Sequence, residues 1–198
     1  VNANLNYRYA VTSGTELNID ADYGIFKIRS NQYQPNYYFQ PDGTTEISRA
    51  IYNMIAPTDI DLFSLKADYE KNYKGGRLGI GGKIGIVNTD NDFQRYDVYT
   101  SGKVLDTLKS NRFKYKENIN AAYVNFNKQF GKLGVQAGLR AENTNLSGHQ
   151  LGNPVNPDSS FKRSYTSVFP TAFISYNADS SNQFALSVGR RIDRASYQ

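Results

Sequence analysis

The chain has 198 residues, a formal net charge of +5, no Cys, and 16 Tyr and 11 Phe against a single Met and no Trp. That length suits one domain with a sizeable core, while a mean hydropathy of -0.61 and the lack of any run near the roughly 18–20 apolar residues of a spanning helix exclude helical membrane insertion. Without Cys there is neither thiol catalysis nor a cysteine-bound metal, and Lys and Arg are scattered rather than blocked together, which argues against a nucleic-acid partner.

Period-two alternation predicts eight strands. In the first, Ala3, Leu5, Tyr7, Tyr9 and Val11 oppose Asn2, Asn4, Asn6, Arg8 and Ala10; the second sets Leu17, Ile19, Ala21, Tyr23 and Ile25 against Asn18, Asp20, Asp22 and Gly24. The third, about 59 to 70, opposes Phe63, Leu65, Ala67 and Tyr69 to Ser64, Lys66, Asp68 and Glu70, and in the fourth Leu78, Ile80, Ile84 and Ile86 back onto Arg77, Gly79, Gly81, Lys83 and Gly85. The fifth, about 113 to 130, is two-sided: Ile119, Ala121 and Tyr123 compete with Ala122, Val124 and Phe126, and a bulge would switch the face. The sixth sets Leu133, Val135, Ala137, Leu139 and Ala141 against Gly134, Gln136, Gly138, Arg140 and Glu142. The seventh carries Val168, Ala172, Ile174 and Tyr176, with Pro170 at a bulge or an edge, and the eighth carries Phe184, Leu186 and Val188.

Tight turns fall near Ser13-Gly14, Gly75-Gly76, Gly131-Lys132 and Ser180-Ser181, and long polar loops are expected at 30 to 57, 88 to 112 and 143 to 164. Antiparallel neighbours would then put every short turn at one end of the sheet and every long loop at the other. Each strand also has the roughly nine to eleven residues that cross a bilayer at a barrel's tilt. The expected fold is all-β, an antiparallel transmembrane β-barrel segment of about eight strands with short periplasmic turns and long extracellular loops, forming a single unit over 1-198. Two alternatives remain open: a self-contained eight-stranded outer-membrane barrel with a structural or adhesive role, and a soluble carbohydrate-binding β-sandwich.

Arg8, Asp20, Asp22, Lys66, Asp68, Arg77, Lys83, Arg140 and Glu142 fall on the charged faces and would line a lumen. Tyr33, Tyr37, Tyr38 and Phe39 in the first long connection offer flat faces for a ligand, or else an interfacial aromatic girdle. Asp90, Asn91 and Asp92 lack the glycine and later glutamate of a calcium loop, so no metal site is expected. His149, the sole histidine, stands in a predicted surface loop with no base-orienting motif, so no catalysis is expected.

The segment from Ser164 to Gln198 resembles a hairpin of TonB-dependent outer-membrane receptors, in the outer-membrane-protein β-barrel family. The features that carry the likeness are Phe169-Pro170, the turn from Asn177 to Asn182, and Arg190-Arg191-Ile192-Asp193-Arg194; Ala195 stands where the family often has proline. Glu117 to Thr144 is similar to the preceding hairpin. The resemblance implies a barrel of about 22 strands around a plug domain, driven by TonB, for a small-molecule ligand such as a metal chelate or a glycan, with no cofactor. Plug and TonB contacts would come from parts of the receptor outside this chain, and outer-membrane lipid and lipopolysaccharide would surround the wall. The opening on Val1 reads as a processed or internal start, and the end at Ser196-Tyr197-Gln198 as a cut.

Overall fold

The computed structural model describes residues 1–191; Ile192, Asp193, Arg194, Ala195 and the Ser196-Tyr197-Gln198 end lie outside the described residues. Nine strands succeed one another: β1 (Asn2–Val11), β2 (Thr15–Phe39), β3 (Glu46–Tyr73), β4 (Gly76–Tyr99), β5 (Gly102–Leu105), β6 (Asn111–Phe130), β7 (Leu133–Leu151), β8 (Ser159–Asn177) and β9 (Gln183–Gly189). They form one antiparallel sheet in the order β1-β2-β3-β4-β6-β7-β8-β9, with β5 paired to the far end of β4. Among the described residues β1 and β9 are the two open edges. The sheet is therefore neither a closed eight-stranded barrel nor a two-layer sandwich, which removes both architectural alternatives.

Short turns gather at one end, as expected. The second sits at Lys74-Gly75, one residue earlier than the Gly75-Gly76 expected, because both residues take positive φ (48° and 74°) between the paired Tyr73 and Gly76. That is the two-residue hairpin whose twist matches its strands, and glycine supplies its second position without strain. At the other end the expected long loops are mostly strand. β2 and β3 stay paired up to the short tip at 40–45, with a register shift at Tyr38/Phe39; β7 and β8 stay paired to Gln150 and Ser159. The second connection holds the additional strand β5 against β4. A backbone ladder needs no apolar side chains, so pairing outlasts the hydrophobic signal that marks it in the sequence.

Two faces run through the sheet, and only Ala121 and Phe169 are buried hydrophobic residues among those described. Leu5, Ile80, Ile84, Val124, Leu139, Ile174 and Leu186 are all exposed on one side. A water-soluble domain of this length would hide such residues in a core; here a single apolar face is left for lipid. This outer face is backed by an inner face holding Arg8, Asp20, Asp22, Lys66, Asp68, Arg77, Lys83, Arg140 and Glu142.

The two-sided fifth strand is settled by register. β6 pairs without a shift to both neighbours, with Val124 opposite Ile80 and Leu139, and Tyr123 opposite Gly81 and Arg140. Ala122, Val124 and Phe126 thus face outward, while Ile119, Ala121 and Tyr123 face inward, with no bulge. Pro170 also sits without a bulge, opposite Leu139. Its carbonyl accepts from the Arg190 N–H at 3.1 Å, so its missing donor points toward the β9 side, just where β9 stops at Gly189. That is the edge position open to proline.

Polarity inverts along the strands. On the outer face Ile25 gives way to Lys27, Phe63 to Asp61, Ile86 to Asn88, Ala122 to Asn120, Ala141 to Asn143 and Val168 to Thr166. Beyond that boundary the inner face is the apolar one, carrying Phe26, Leu62, Val87, Phe113 and Phe161. A Cβ added at Gly148 would stand 2.3 Å from the Phe161 ring and 3.0 Å from that of Phe113, so the rings close over this glycine. Phe63 faces Ile86, yet Ile86 faces Asn118, with Ala122 two alternate positions lower. A boundary that steps down across neighbours is what strands tilted at about 35–45° to the bilayer produce.

Candidate functional site

Below that boundary the inner face is a polar lining built from cross-strand pairs. On β1 and β2, Asn4 donates to Asp22 at 2.6 Å and Asn6 donates to Asp20. Arg8 grips Glu16 through two nitrogens at 2.9 and 3.2 Å. Arg77 reaches Glu70 at 2.5 Å and Glu16 at 3.7 Å, joining the first four strands at the short-turn end. These side chains are mostly solvent-exposed, so each pair adds little to stability, and their effect is to fix where charge stands along the wall.

Further along the face, Lys66 pairs with Asp68 at 2.5 Å, and Asp68 accepts the Tyr123 hydroxyl at 2.5 Å. The Arg140 guanidinium lies 5.4 Å from the Tyr123 ring centre and 2.9 Å from Glu142, whose side chain is only 6% exposed. Phe169, directly opposite Arg140, is buried at 7%, and Arg190 lies 5.9 Å from its ring. The structure thus brings Phe169 and Arg190 of the family-like motif together on the inner face, with Pro170 on the outer one. Arg191 borders a shallow recess of about 390 Å³ that Tyr123, Arg140, Phe169 and Arg190 also line, while Arg194 lies outside the described residues.

Glu16 and Tyr123 complete these pairs and were not among the residues expected to line the lumen. Glu16 continues the alternation of Asn18, Asp20 and Asp22 and could have been found by extending it; Tyr123 was hidden by the two-sided strand.

Above the boundary, the inner face opens into a recess of about 570 Å³ lined by Met54, Phe93, Arg95, Asn111, Gln150 and Asn153, among others. Arg95 stacks on Tyr52 with its guanidinium carbon 3.8 Å from the ring centre, and its Nε is buried with no hydrogen-bond partner among the described residues. Asp97 stands 3.7 Å from the same guanidinium. The Asn153 amide donates at 3.1 Å to the carbonyls of Leu108 and Ser110, locking the β7–β8 tip onto the β5–β6 connection. A stacked arginine in the lining of a recess suits a planar anionic group such as a carboxylate. Nothing local in the sequence announces this recess, since it depends on β3, β4 and two hairpin tips meeting.

The expected aromatic cluster does not form one surface. Tyr33 and Tyr37 point to the outer face, Tyr38 to the inner one, and Phe39 sits at the register shift; all four are exposed. Arg49 lies 5.9 Å from the Tyr37 ring centre. Tyr33 is eight residues, or about 26 Å of strand, past Ile25, too far along for a girdle at the boundary.

Asp90 and Asp92 point outward and Asn91 inward, so these three do not converge. Arg112 binds Asp90 at 2.6 and 2.8 Å and holds its carboxyl below the usual carboxylate range. Asn91 donates to Thr58 at 2.7 Å and Asp92 accepts from Gln94 at 2.7 Å. Among the described residues no cluster of His, Asp and Glu is arranged to hold a metal ion. His149 lies in β7 rather than in a loop, on the outer face, 3.5 Å from Asp158.

Three solved structures share the fold. The ferric citrate transporter FecA in its unliganded form is 16% identical at a TM-score of 0.62, covering 95% of this chain and 26% of that one. The ferric yersiniabactin uptake receptor FyuA from Yersinia pestis is 14% identical at 0.55, covering 90% and 26%. The siderophore receptor PiuA from Acinetobacter baumannii is 11% identical at 0.63, covering 90% and 30%. The chain therefore spans between about a quarter and a third of the length of these proteins. Among curated proteins none matches it. The model of the outer membrane protein beta-barrel family matches residues 10–198, the open tilted sheet with its lipid-facing side is the architecture that family builds, and the chain belongs to it and to the cell outer membrane.

Proposed function

We propose that this chain is part of the barrel wall of a TonB-dependent receptor that takes up a scarce nutrient, with a plug domain and TonB contacts supplied by the rest of the receptor. The observation that carries the reading is the charged inner face along the bilayer-spanning part of the wall, with the Arg95–Tyr52 recess at the far side of an apolar band formed by Phe26, Leu62, Val87, Phe113 and Phe161. A conduit needs polar groups where it crosses the bilayer and a capture point at its mouth, and neither needs catalytic chemistry. The Arg95 cation in the recess lining favours a ligand bearing a carboxylate or similar anion. Likeness to proteins named for iron-chelate uptake favours a metal chelate over a neutral glycan. Tyr38, on the inner face of β2, is the member of the aromatic cluster best placed to assist capture.

Cells that depend on this protein should accumulate iron from an acidic ferric chelate within a panel of chelates and oligosaccharides, and a protonophore should abolish the accumulation. Accumulation that survives loss of the proton-motive force would reject the TonB-driven reading; oligosaccharide uptake instead of iron would reject the chelate.

A further inference from the structure

Charge on the outer face, above the polarity boundary, is sorted by strand. Asp61 on β3 faces Asn88 on β4, which faces Lys116 on β6; one alternate position further up the strands, Asp59 faces Asp90, which faces Lys114. The acids therefore stand on β3 and β4 and the lysines on β6. Part of this charge is used within the sheet. Arg29 reaches Asp59 at 2.7 Å, and Asp90 binds Arg112 with Lys114 3.9 Å away. Asp61 and Lys116 are exposed and, among the described residues, have no ion-pair partner, while Asp59 keeps about half of its side chain in solvent.

Strand tilt sets the heights of these groups. Ile86 is the last apolar outer residue of β4 and faces Asn118, whereas β6 stays polar down to Asn120 above Ala122, so a step across the ladder from β4 to β6 gains height. With about 3.3 Å per residue, about 4.8 Å between strands and a tilt near 40°, Lys116 comes level with Asp59, and Lys114 stands about 3 Å above Asp90. Two copies that cross one membrane in the same direction can be related by a two-fold axis only if it lies along the membrane normal. Such an axis preserves height and exchanges left for right. Set between Asp90 and Lys114, it lays Lys116 of each copy on Asp59 of the other and Lys114 on Asp90, each contact occurring twice. Charges sorted along the strands instead of across them would meet like against like. Just inside the bilayer the same axis passes over Tyr23 and Phe63, directly paired and exposed on the outer face, where aromatic rings of the two copies can stack. We propose that the outer face of β3, β4 and β6 is the contact of a symmetric dimer in the membrane, with a second copy of the same protein as its occupant. The proposal rests on the membrane orientation of the sheet, not on the uptake reading.

The chain holds no Cys, so a cysteine placed beside the axis reports on its own copy. In the whole protein in native outer membranes, Asn88→Cys should give a disulfide-linked dimer, and Ser164→Cys, on the outer face of β8 and far from the axis, should not. Lys116→Glu and Asp59→Lys, each added to Asn88→Cys, should lower the linked fraction by about fivefold for each of the two symmetric contacts, on the order of 20-fold together. Coexpression of these two charge-reversed proteins under different tags should restore linkage between unlike copies only, because every contact between them is again of opposite sign. Heat-modifiable gel mobility checks that each variant is folded, and ligand uptake should be unchanged in all of them. No linkage at Asn88→Cys, equal linkage at Ser164→Cys, indifference to charge reversal, or no recovery in the mixed pair would each overturn the proposal.

Discussion

Tyr123 passes its side chain across Gly81 and sets its hydroxyl 2.5 Å from the Asp68 carboxylate, so three neighbouring strands are tied on the inner face by one phenol. A Cβ built on Gly81 would stand 2.4 Å from the Tyr123 ring and 2.7 Å from an Asp68 oxygen. Gly81→Ala should therefore displace the ring and destabilise the protein more than Tyr123→Phe, which removes only a charge-assisted hydrogen bond worth about 1.5–3 kcal/mol. The midpoint temperature of the heat-modifiable band measures both, and a Gly81→Ala variant as stable as the parent would refute the close packing.

Leu139 stands among apolar neighbours on the outer face, whereas Asn125 faces inward one strand away. Leu139→Arg should cost about 2–4 kcal/mol of stability in a bilayer, the penalty for arginine near the midplane, and Asn125→Arg should cost well under half of that. Equal losses on unfolding from lipid vesicles would mean that the two faces are assigned the wrong way round.

Asp42 organises the β2–β3 tip. The Thr45 hydroxyl donates to its carboxylate at 2.6 Å, and the backbone N–H groups of Thr45 and Thr44 follow at 3.0 and 2.9 Å, pulling its pKa from 3.8 to about 2. A depressed carboxyl stabilises the tip fully above its unfolded value and loses that contribution as pH falls through the folded one. The tip should hold its geometry at pH 5 and loosen between about 4 and 2. The Thr45 amide resonance should titrate with a midpoint near 2, and Asp42→Asn should abolish that titration; a midpoint near 3.8 would contradict the three donors.

Arg95→Gln removes the stacked cation from the recess while leaving its backbone contacts to Ser110 and Asp106 in place. Half-saturation for the acidic chelate should rise by tenfold or more, the worth of about 1.5–3 kcal/mol for a hydrogen bond to a charged group, while maximal uptake stays the same. Tyr52→Leu should have a smaller effect in the same direction. Unchanged half-saturation in Arg95→Gln would remove the recess from the capture point.

The strands that cross the bilayer were legible because their outer residues are apolar and their inner ones are not, as with Ile80 and Gly81. The stretches at 30–57 and 143–164 looked like loops because the alternation there changes sign. Lys162 faces out and Phe161 in, so an observer following one phase of hydrophobicity sees it end while the ladder goes on. Tyr123 was ambiguous because an aromatic ring serves equally as a lipid-facing group and as the cover of a glycine-rich face. Only the pairing of β6 with both neighbours decides which it is. Arg95 and Tyr52 were illegible for another reason: they are 43 residues apart, and neither carries a local motif.

Because the ladder persists beyond the bilayer, the mouth of this wall is stiff. β2 runs from Lys27 to Phe39 as paired strand, about 40 Å of it, and its tip is pinned by Asp42. A ligand arriving there meets side chains already held in place, so little conformational entropy remains to be lost on capture, and the free energy of each contact goes into holding the ligand rather than ordering the receptor.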